Sequence, residues 1–274
     1  MVKSTVVFLT WKGTELRTMK KNFLIDMDGV LVHGSKMVPG ADKFIQSLVD
    51  DDRKFAILTN NSKYTARDLA HRLEQAGIDI DEGKLFTSAM ATAEFLANQK
   101  PNGKAFVMGE VGLTEAIHSA GYILTSVDPD FVVLGEMSSY SIDQITRAVR
   151  LIEEGARFIA TNPDPNGPSE NGMVPATGAM AALIEKATGK APFFVGKPNP
   201  LMMRTALNHY DMHSEDTFMI GDRMDTDVLS GISGGMETIL VLSGMTKPED
   251  IDKYPFHPKY VFDSVADIDV KQFD

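Results

Sequence analysis

Short apolar runs alternate with helix-like segments along the chain from Asn22 onward. The run Phe23-Leu24-Ile25 ends in Asp26, and the segment Ala41–Asp50 that follows carries its apolar residues at helical spacing. Further apolar runs without polar alternation predict strands at residues 55–58, 85–86, 193–195, 218–220 and 238–242. Such strands are typical of a parallel sheet that helices cover on both faces. We therefore predict an α/β fold with a doubly wound, parallel-sheet core.

The middle of the chain has a strand and helix pattern of its own. Strands are predicted at residues 105–108, 131–134 and 157–160, and helices at residues 113–120, 142–154 and 178–188. Breaker clusters Pro101-Asn102-Gly103 and Gly189-Lys190-Ala191-Pro192 flank this region, and Asn171-Gly172 is a tight-turn signal. We interpret residues 21–101 and 192–274 as one core domain and residues 102–191 as an inserted α/β domain. Two chain crossings would join them, so we expect hinge motion.

Residues 1–20 differ from the rest of the chain. The run Val6-Val7-Phe8-Leu9 is apolar, but it is shorter than the ~7–15 residues of a signal-peptide core. Met19 stands directly before Lys20-Lys21 and the first predicted strand. Two interpretations of this N-terminal extension stay open: residues added upstream of a natural start at Met19, or an ordinary extra strand or arm.

Composition narrows the classes of function. The sequence has 27 Lys and Arg against 38 Asp and Glu, a net charge of −11, which argues against broad binding to nucleic-acid backbones. No apolar run reaches the ~18–20 residues that span a bilayer, so we expect no membrane partner. The absence of cysteine excludes a thiolate metal site and a cysteine nucleophile, and it fits a cytoplasmic location. A small anionic substrate stays compatible with this charge, and formation of a homo-oligomer is left open.

Polar residues follow four of the predicted core strands. They form the segments Asp26-Met27-Asp28-Gly29, Thr59-Asn60-Asn61, Gly196-Lys197-Pro198 and Gly221-Asp222-Arg223-Met224-Asp225-Thr226-Asp227. In an open parallel sheet, ligands bind beyond the carboxyl ends of the strands. We therefore expect these four segments to meet in one crevice.

The acidic residues of these segments suit phosphoryl chemistry and a metal. Asp26 and Asp28 supply two carboxylates for different roles, one as a nucleophile and one as a proton donor and acceptor. Asp222 and Asp227 add further oxygens, which complete a site for a hard cation such as Mg²⁺. No histidine lies in the four segments, so Zn²⁺ fits poorly.

Thr59 and Lys197 supply a hydroxyl and an ammonium group to the same crevice. Several carboxylates facing a phosphate dianion would repel it. A bound Mg²⁺ and a lysine offset this repulsion and stabilise charge on a transferring phosphoryl group. The residues alone thus favour a site that handles phosphate esters.

Taken together, the motifs DMDGV, LTNNS, VGKP and GDRMDTD resemble the haloacid dehalogenase superfamily in its phosphatase branch. They occur in the order that the family has, and an insert between the threonine and lysine motifs resembles that of the C2-capped members. The runs TSAMATAEFL, GARFIATNPD, VGKPNP and ETILVLSGMT resemble the NagD-type nucleotide and sugar-phosphate phosphatases. The resemblance covers nearly everything from Lys21 onward, and it implies a Rossmann-like core with an α/β cap.

This resemblance implies a role for each matching residue of the first three motifs. Asp26 matches the nucleophile that forms an aspartyl-phosphate and ligates the metal. Asp28 matches the general acid and base, whose backbone carbonyl is a further metal ligand in this family. Thr59, with Asn60 beside it, matches the phosphate-binding motif. Lys197 matches the catalytic lysine that orders nucleophile and phosphate.

The fourth motif and the insert complete the predicted site. Asp222 matches a direct metal ligand, and Asp227 matches a carboxylate that supports it. Arg223 is a candidate for substrate binding. In the insert, Thr161-Asn162-Pro163-Asp164 follows a predicted strand, so Asn162 and Asp164 are candidates to contact the leaving group. The alternative interpretation of this segment is a turn ordered by proline.

The function that the resemblance implies is Mg²⁺-dependent hydrolysis of small phosphorylated metabolites. It favours nucleoside monophosphates such as UMP with broad specificity, and sugar phosphates come second. A phosphotransferase, or a phosphate-binding protein without turnover, are the more remote alternatives. The presence of both Asp26 and Asp28 speaks against the last of these.

Overall fold

The computed structural model describes residues 20–169 and 172–273. In chain order, the strands are β1 (Asn22–Asp26), β2 (Val32–His33), β3 (Lys36–Met37), β4 (Phe55–Thr59), β5 (Leu85–Thr87), β6 (Lys104–Met108), β7 (Ile123–Leu124), β8 (Phe131–Leu134), β9 (Arg157–Ala160), β10 (Asn166–Ser169), β11 (Gly172–Pro175), β12 (Phe193–Phe194), β13 (Thr217–Gly221), β14 (Glu237–Val241) and β15 (Tyr260–Phe262). The helices are α1 (Ala41–Asp50), α2 (Ala66–Gln75), α3 (Ser88–Gln99), α4 (Val111–Ser119), α5 (Ile142–Glu153), α6 (Thr177–Thr188), α7 (Pro200–His209), α8 (Leu229–Ser233) and α9 (Pro248–Ile251). The predictions for residues 1–19 and for Asn171 lie outside the described residues.

Two parallel sheets organise the described part of the chain. Six strands form the first sheet there, in the order β15-β14-β13-β1-β4-β5. The second sheet has the order β12-β9-β8-β6-β7, and its strands are also parallel. The chain leaves the first sheet after β5, builds the second sheet, and returns to the first at β13. The predicted α/β fold with a doubly wound parallel core is therefore confirmed.

Local signals explain where the helices begin and end. The side chain of Thr65 accepts a hydrogen bond from Asp68 N, and the Asp68 carboxylate caps the Thr65 backbone in return, so α2 begins with a capping box. Gly77, just beyond the same helix, has a φ of 99°, a conformation that favours glycine. None of the helices among the described residues combines the length and apolar character needed to cross a membrane.

An apolar layer of helices lies between the two sheets. Along β1, Phe23 and Ile25 pack towards α1 and α2, whereas Leu24 packs on the opposite face. The cluster around Leu24 also contains side chains of α3, α4 and α7, together with Phe131 and Val133 from β8 of the second sheet. The other face of β8 packs against α5 and α6. Both sheets therefore share one continuous apolar core through the helices between them.

This packing bears on the predicted domain boundary and hinge. Domains that meet over a small polar interface move readily, whereas a large apolar interface opposes such motion. The pairing of β12 bears on the same boundary, because the sequence interpretation assigned this strand to the core domain that resumes at residue 192. In the structure, β12 pairs with β9 of the second sheet, with Phe193 opposite Ile159. The apolar run correctly predicted a strand, but hydrophobic pattern alone does not specify which sheet a strand joins.

Candidate active site

Neighbouring strands of the first sheet bring polar side chains to one edge. β1 ends at Asp26, β4 ends at Thr59, and Asp222 directly follows β13. Because β13, β1 and β4 are adjacent and parallel, their carboxyl ends meet at the same edge of the sheet. Lys197 reaches this edge from the segment that follows β12. The structure thus brings the four predicted segments together in one crevice.

The ammonium group of Lys197 links two carboxylates at the centre of this crevice. Its Nζ donates to Asp26 Oδ1 at 2.6 Å and to Asp227 Oδ1 at 2.7 Å. All three side chains are buried, so these charge-assisted bonds form away from bulk water. Burial alone would lower the pKa of Lys197, but the carboxylates of Asp227 and Asp26 raise it above its usual value. Lys197 is therefore charged and fixed in position.

Asp26, Asp222 and Asp227 form an acidic cluster in which one oxygen of each lies within 4.8 Å of the others. Burial, and then the charge of Asp227, raises the pKa of Asp26 well above its usual range. The same two causes raise the pKa of Asp222 to about 7. The cluster holds more carboxylate groups than Lys197 can balance. A divalent cation would favour their charged forms and so reverse these pKa shifts.

The hydrogen bonds of the cluster leave oxygens of Asp222 and Asp26 available to a Mg²⁺ ion. Asp222 Oδ2 accepts from Met245 N at 2.7 Å, whereas Asp222 Oδ1 is buried and has no hydrogen-bond partner among the described residues. Such an atom is costly unless a ligand binds it. Asp227 has both oxygens engaged, since Lys197 binds Oδ1 and Arg223 N donates to Oδ2 at 3.2 Å. The donor set is therefore suited to a hard cation on Asp222 and Asp26, with Asp227 in a supporting position.

Two glycines allow the loops to close around Asp222. Gly29 has a φ of +85°, and a Cβ atom on it would lie 2.4 Å from Asp222 Oδ2. A Cβ atom on Gly244 would lie 1.9 Å from the same oxygen. Both distances are far below van der Waals contact, so the approach of these two loops requires residues without a side chain.

On the phosphate side of the crevice, Thr59 and Asn60 have different roles. The Thr59 hydroxyl oxygen accepts from Asn61 N at 3.1 Å, and within the described residues this hydroxyl donates no bond, so its proton is available to a phosphate oxygen. The Asn60 amide instead braces Lys197: Oδ1 accepts from Lys197 N at 2.8 Å, and Nδ2 donates to Lys197 O at 3.0 Å. These bonds position Lys197, and the contact of Asn60 with substrate stays a prediction.

Asp28 lies at the mouth of the crevice, two residues after the nucleophile candidate. The Asp28 side chain is exposed, but the surrounding protein partly desolvates its carboxyl group, and this desolvation raises the pKa of Asp28. The nearby basic side chains of Arg72, Lys197 and His33 oppose this shift. A raised pKa favours the protonated form, which is the form that donates a proton to a leaving group.

The insert residues predicted to select the substrate are bonded to protein. Asn162 is buried; its Nδ2 donates to Asn60 O at 3.0 Å and its Oδ1 accepts from Asp164 N at 3.2 Å. Asp164 accepts from Asn60 Nδ2 at 2.9 Å and from Arg223 Nη1 at 3.1 Å. Arg223 also makes a two-point pair with Asp225. These bonds tie the loop to the core, as the alternative interpretation of an ordered turn expects, and contact of Asn162 and Asp164 with the leaving group stays a prediction.

Sequence reasoning missed Glu136 and Ser62, which join the two sides of the crevice. Ser62 N donates to Glu136 Oε2 at 3.0 Å, and Glu136 N donates to Ser62 Oγ at 2.9 Å. The Thr161 hydroxyl donates to the same Ser62 Oγ at 3.1 Å. Glu136 stands two residues beyond the apolar strand β8, as polar residues of the core segments follow their strands, but this position alone does not reveal that Ser62 binds it.

Comparison with known proteins agrees with this arrangement. Residues 23–123 match the family described as haloacid dehalogenase-like hydrolase, and residues 194–268 match a second family of HAD-hydrolase-like proteins. The chain is 55% identical to a dihydroxyacetone phosphatase of Corynebacterium glutamicum over 92% of this chain and 91% of that protein. It is 47% identical to the ribonucleotide monophosphatase NagD of Escherichia coli over 91% of this chain and 98% of that protein. The solved structure of E. coli NagD covers 91% of this chain and 98% of its own, with a TM-score of 0.87.

Proposed function

The chain belongs to the haloacid dehalogenase-like hydrolases and is a phosphatase, and we propose that it acts through a covalent phosphate on Asp26. The observation that carries the proposal is the state of the Asp26 carboxylate. Lys197 binds Oδ1 at 2.6 Å, while Oδ2 receives no hydrogen bond from the described residues. A buried carboxylate that is fixed at one oxygen and unoccupied at the other is arranged for in-line attack on phosphorus.

The proposed reaction has two steps. In the first, an Asp26 oxygen attacks phosphorus, the bond to the ester oxygen breaks, and Asp28 gives its proton to the leaving alkoxide. In the second, Asp28 takes a proton from a water molecule as that water attacks the phosphorus of the acyl-phosphate. The bond between phosphorus and Asp26 then breaks and inorganic phosphate leaves. Lys197 and the Thr59 hydroxyl hold the non-bridging phosphate oxygens in both steps.

The proposed cofactor is Mg²⁺, held by Asp26 and Asp222, with the backbone carbonyl of Asp28 as a further ligand. When bound, it would neutralise phosphate charge and stabilise the transition state as a Lewis acid. The buried, unbonded Asp222 Oδ1 supports this assignment. Asp227 acts indirectly, because both of its oxygens are already engaged by Lys197 and Arg223.

The proposed substrates are nucleoside monophosphates and sugar phosphates. Two relatives carry the names ribonucleotide monophosphatase and dihydroxyacetone phosphatase, so proteins similar to this chain are named for both kinds of substrate. The core groups Asp26, Thr59 and Lys197 bind only the phosphate, which fits broad specificity. The cysteine-free composition agrees with a cytoplasmic location, which we include in the proposal.

The test uses p-nitrophenyl phosphate with Mg²⁺ and compares the wild type with Asp26→Asn. We expect the wild type to release inorganic phosphate, and we expect EDTA to stop turnover until Mg²⁺ is restored. Quenched wild-type reactions should contain protein with one added phosphoryl group, and Asp26→Asn should show neither turnover nor this adduct. Retained turnover in Asp26→Asn refutes the nucleophile, and transfer of phosphate to an added alcohol in place of water favours a phosphotransferase.

A further inference from the structure

Glu136 occupies a distinctive place in the fold. It follows β8, the middle strand of the second sheet, and it faces the loop after β4 of the first sheet through its pair of bonds with Ser62. It therefore stands on the insert side of the crevice, opposite the end of the strand that carries Thr59.

The Glu136 carboxylate is only half satisfied by the protein. Oε2 accepts from Ser62 N at 3.0 Å, and Oε1 has no hydrogen-bond partner among the described residues. The two bonds with Ser62, three residues after Thr59, place this carboxyl beside the loop that carries the phosphate-binding segment. Burial, and then the charges of Asp164 and Asp28, raises the pKa of Glu136 to about 7. Oε1 is not among the fully buried polar atoms of the described residues, so it is open to solvent and available to a polar group of a ligand.

We propose that Glu136 Oε1 binds a hydroxyl group on the alcohol portion of the substrate, so that the enzyme selects phosphomonoesters of polyhydroxylated alcohols. The inference rests on the proposed function and names the substrate class of that site. A hydroxyl group both donates and accepts, so it bonds to this carboxyl in either protonation state. An alkyl or aryl leaving group would desolvate Oε1 and leave it without a partner, so we expect such esters to react with a lower kcat/KM than hydroxylated esters of similar size.

Asn162 and Asp164 are poorer candidates for this contact. Asn162 is buried with its amide bonded at both ends, and Asp164 receives bonds from Asn60 and Arg223 at separate oxygens. Glu136 differs from both, because its Oε1, on the insert side of the crevice, has no hydrogen-bond partner among the described residues. Selection by hydroxyl therefore falls to Glu136.

The experiment compares two substrates that differ only in their hydroxyl groups, glycerol 3-phosphate and propyl phosphate. The measured quantity is the ratio of their kcat/KM values with Mg²⁺ at pH 8. We expect the wild type to prefer glycerol 3-phosphate, and Glu136→Met to lower the ratio about 10–100-fold, the range for a lost hydrogen bond to a charged group. Glu136→Gln keeps an acceptor for Ser62 N but replaces the other oxygen with an uncharged amide NH2 group that can only donate, so we expect a decrease of about 3–10-fold.

Ser62→Ala is the control for a purely structural role, since it breaks the bond to Glu136 N and leaves Oε1 in place. It should change kcat/KM for both substrates together and keep their ratio within about 3-fold of the wild type. The proposal is wrong if the wild type has no preference, if both Glu136 variants keep the wild-type ratio, or if Ser62→Ala changes the ratio as much as they do. Should Glu136→Met not fold, Glu136→Gln decides. If the wild type shows no Mg²⁺-dependent turnover of p-nitrophenyl phosphate, the proposed function itself is refuted.

Discussion

The two sides of the crevice differ in how many of their polar side-chain atoms lack a hydrogen-bond partner in the described part of the protein. On the core side, Asp26 keeps one oxygen without a hydrogen bond from the described residues, and Asp222 Oδ1 is buried without a partner there. On the insert side, Asn162 and Asp164 are bonded to protein at both ends of their side chains. Residues of both sides thus lie beside the crevice, but only polar atoms without a protein partner indicate where a ligand binds.

Glu136 is the exception on the insert side, and it makes the comparison useful. Like Asp26, it is held at one oxygen by a protein donor while the other oxygen has none among the described residues. We infer that the core side supplies phosphate and metal chemistry, whereas the insert side supplies one recognition atom and a set of structural bonds. Substitutions on the two sides should therefore affect different kinetic parameters.

The largest effect is expected on the core side, for Lys197→Met. This change removes the charge that binds Asp26 and Asp227, and it leaves two buried carboxylates to repel each other and the phosphate. We expect kcat for p-nitrophenyl phosphate to fall by about 10²–10³-fold or more, as for loss of a preorganised transition-state donor. Saturating substrate and Mg²⁺ isolate kcat.

The matched control for this prediction is Lys186→Met, which changes an exposed lysine of α6 in the same way. It should leave kcat within about 2-fold of the wild type, as expected for a surface change. Circular dichroism should establish that both variants are folded. A decrease of less than about 10-fold in Lys197→Met would contradict a transition-state role.

The second prediction concerns pH and the ionisation of Glu136. In the folded protein its pKa is raised to about 7, whereas an unfolded glutamate has a pKa of about 4.3. Between these values the folded state binds more protons than the unfolded state, so this residue lowers the free energy of unfolding as pH rises from about 4 to 7. Glu136→Gln removes the titration, and its stability relative to the wild type should increase by about 1–3 kcal/mol between pH 4 and pH 8.

Denaturant unfolding at the two pH values measures this difference directly. Glu153→Gln provides the control, since it changes an exposed glutamate near the end of α5. Its stability relative to the wild type should be the same at both pH values. A Glu136→Gln variant that also shows no dependence on pH would mean that Glu136 is well solvated, and it would remove the contrast between Glu136 and the rest of the insert.

Sequence patterns indicate which residues lie at the ligand edge of a sheet, but they do not indicate how those residues are bonded, and the reason is physical. In a parallel sheet, the residue after an apolar run reaches the ligand edge by strand geometry alone, as for Asp26 and Asp222. The same rule brought Asn162 near the crevice, but it does not reveal that Asn60 and Asp164 would take up its amide. Hydrogen-bond partners far apart in sequence depend on the tertiary fold.

Two further features illustrate the same limit. The run before Lys197 predicted a strand, yet β12 pairs with β9 of the second sheet, because pairing depends on where the chain returns from the insert. Glu136 followed a correctly predicted strand, but no neighbouring motif drew attention to it. Its importance becomes visible only when Ser62, 74 residues earlier in the chain, is seen to bind one of its two oxygens.

The smallest effect is expected for Asp164→Asn, and it tests whether this residue selects substrates or joins the insert to the core. Asp164 accepts from Asn60, which braces Lys197, and from Arg223, which binds Asp227 through its backbone. Loss of its charge should loosen both contacts without removing a substrate atom. We expect kcat/KM to fall by about 3–10-fold, the equivalent of one ordinary hydrogen bond, for every phosphomonoester alike.

The measurement is a panel of kcat/KM values for UMP, ribose 5-phosphate, dihydroxyacetone phosphate and p-nitrophenyl phosphate. Asp225→Asn is the matched control, because Asp225 pairs with Arg223 but has no bond to Asn60. If Asp164 joins the two sides, its variant keeps the wild-type order of substrates and exceeds the effect of Asp225→Asn, since only Asp164 reaches the brace on Lys197. A decrease of about 100-fold confined to one substrate would instead identify a direct contact, since such selectivity requires a lost partner on the substrate. In that case the insert side would hold a second recognition atom, and the distinction between free and bonded polar groups would fail at Asp164.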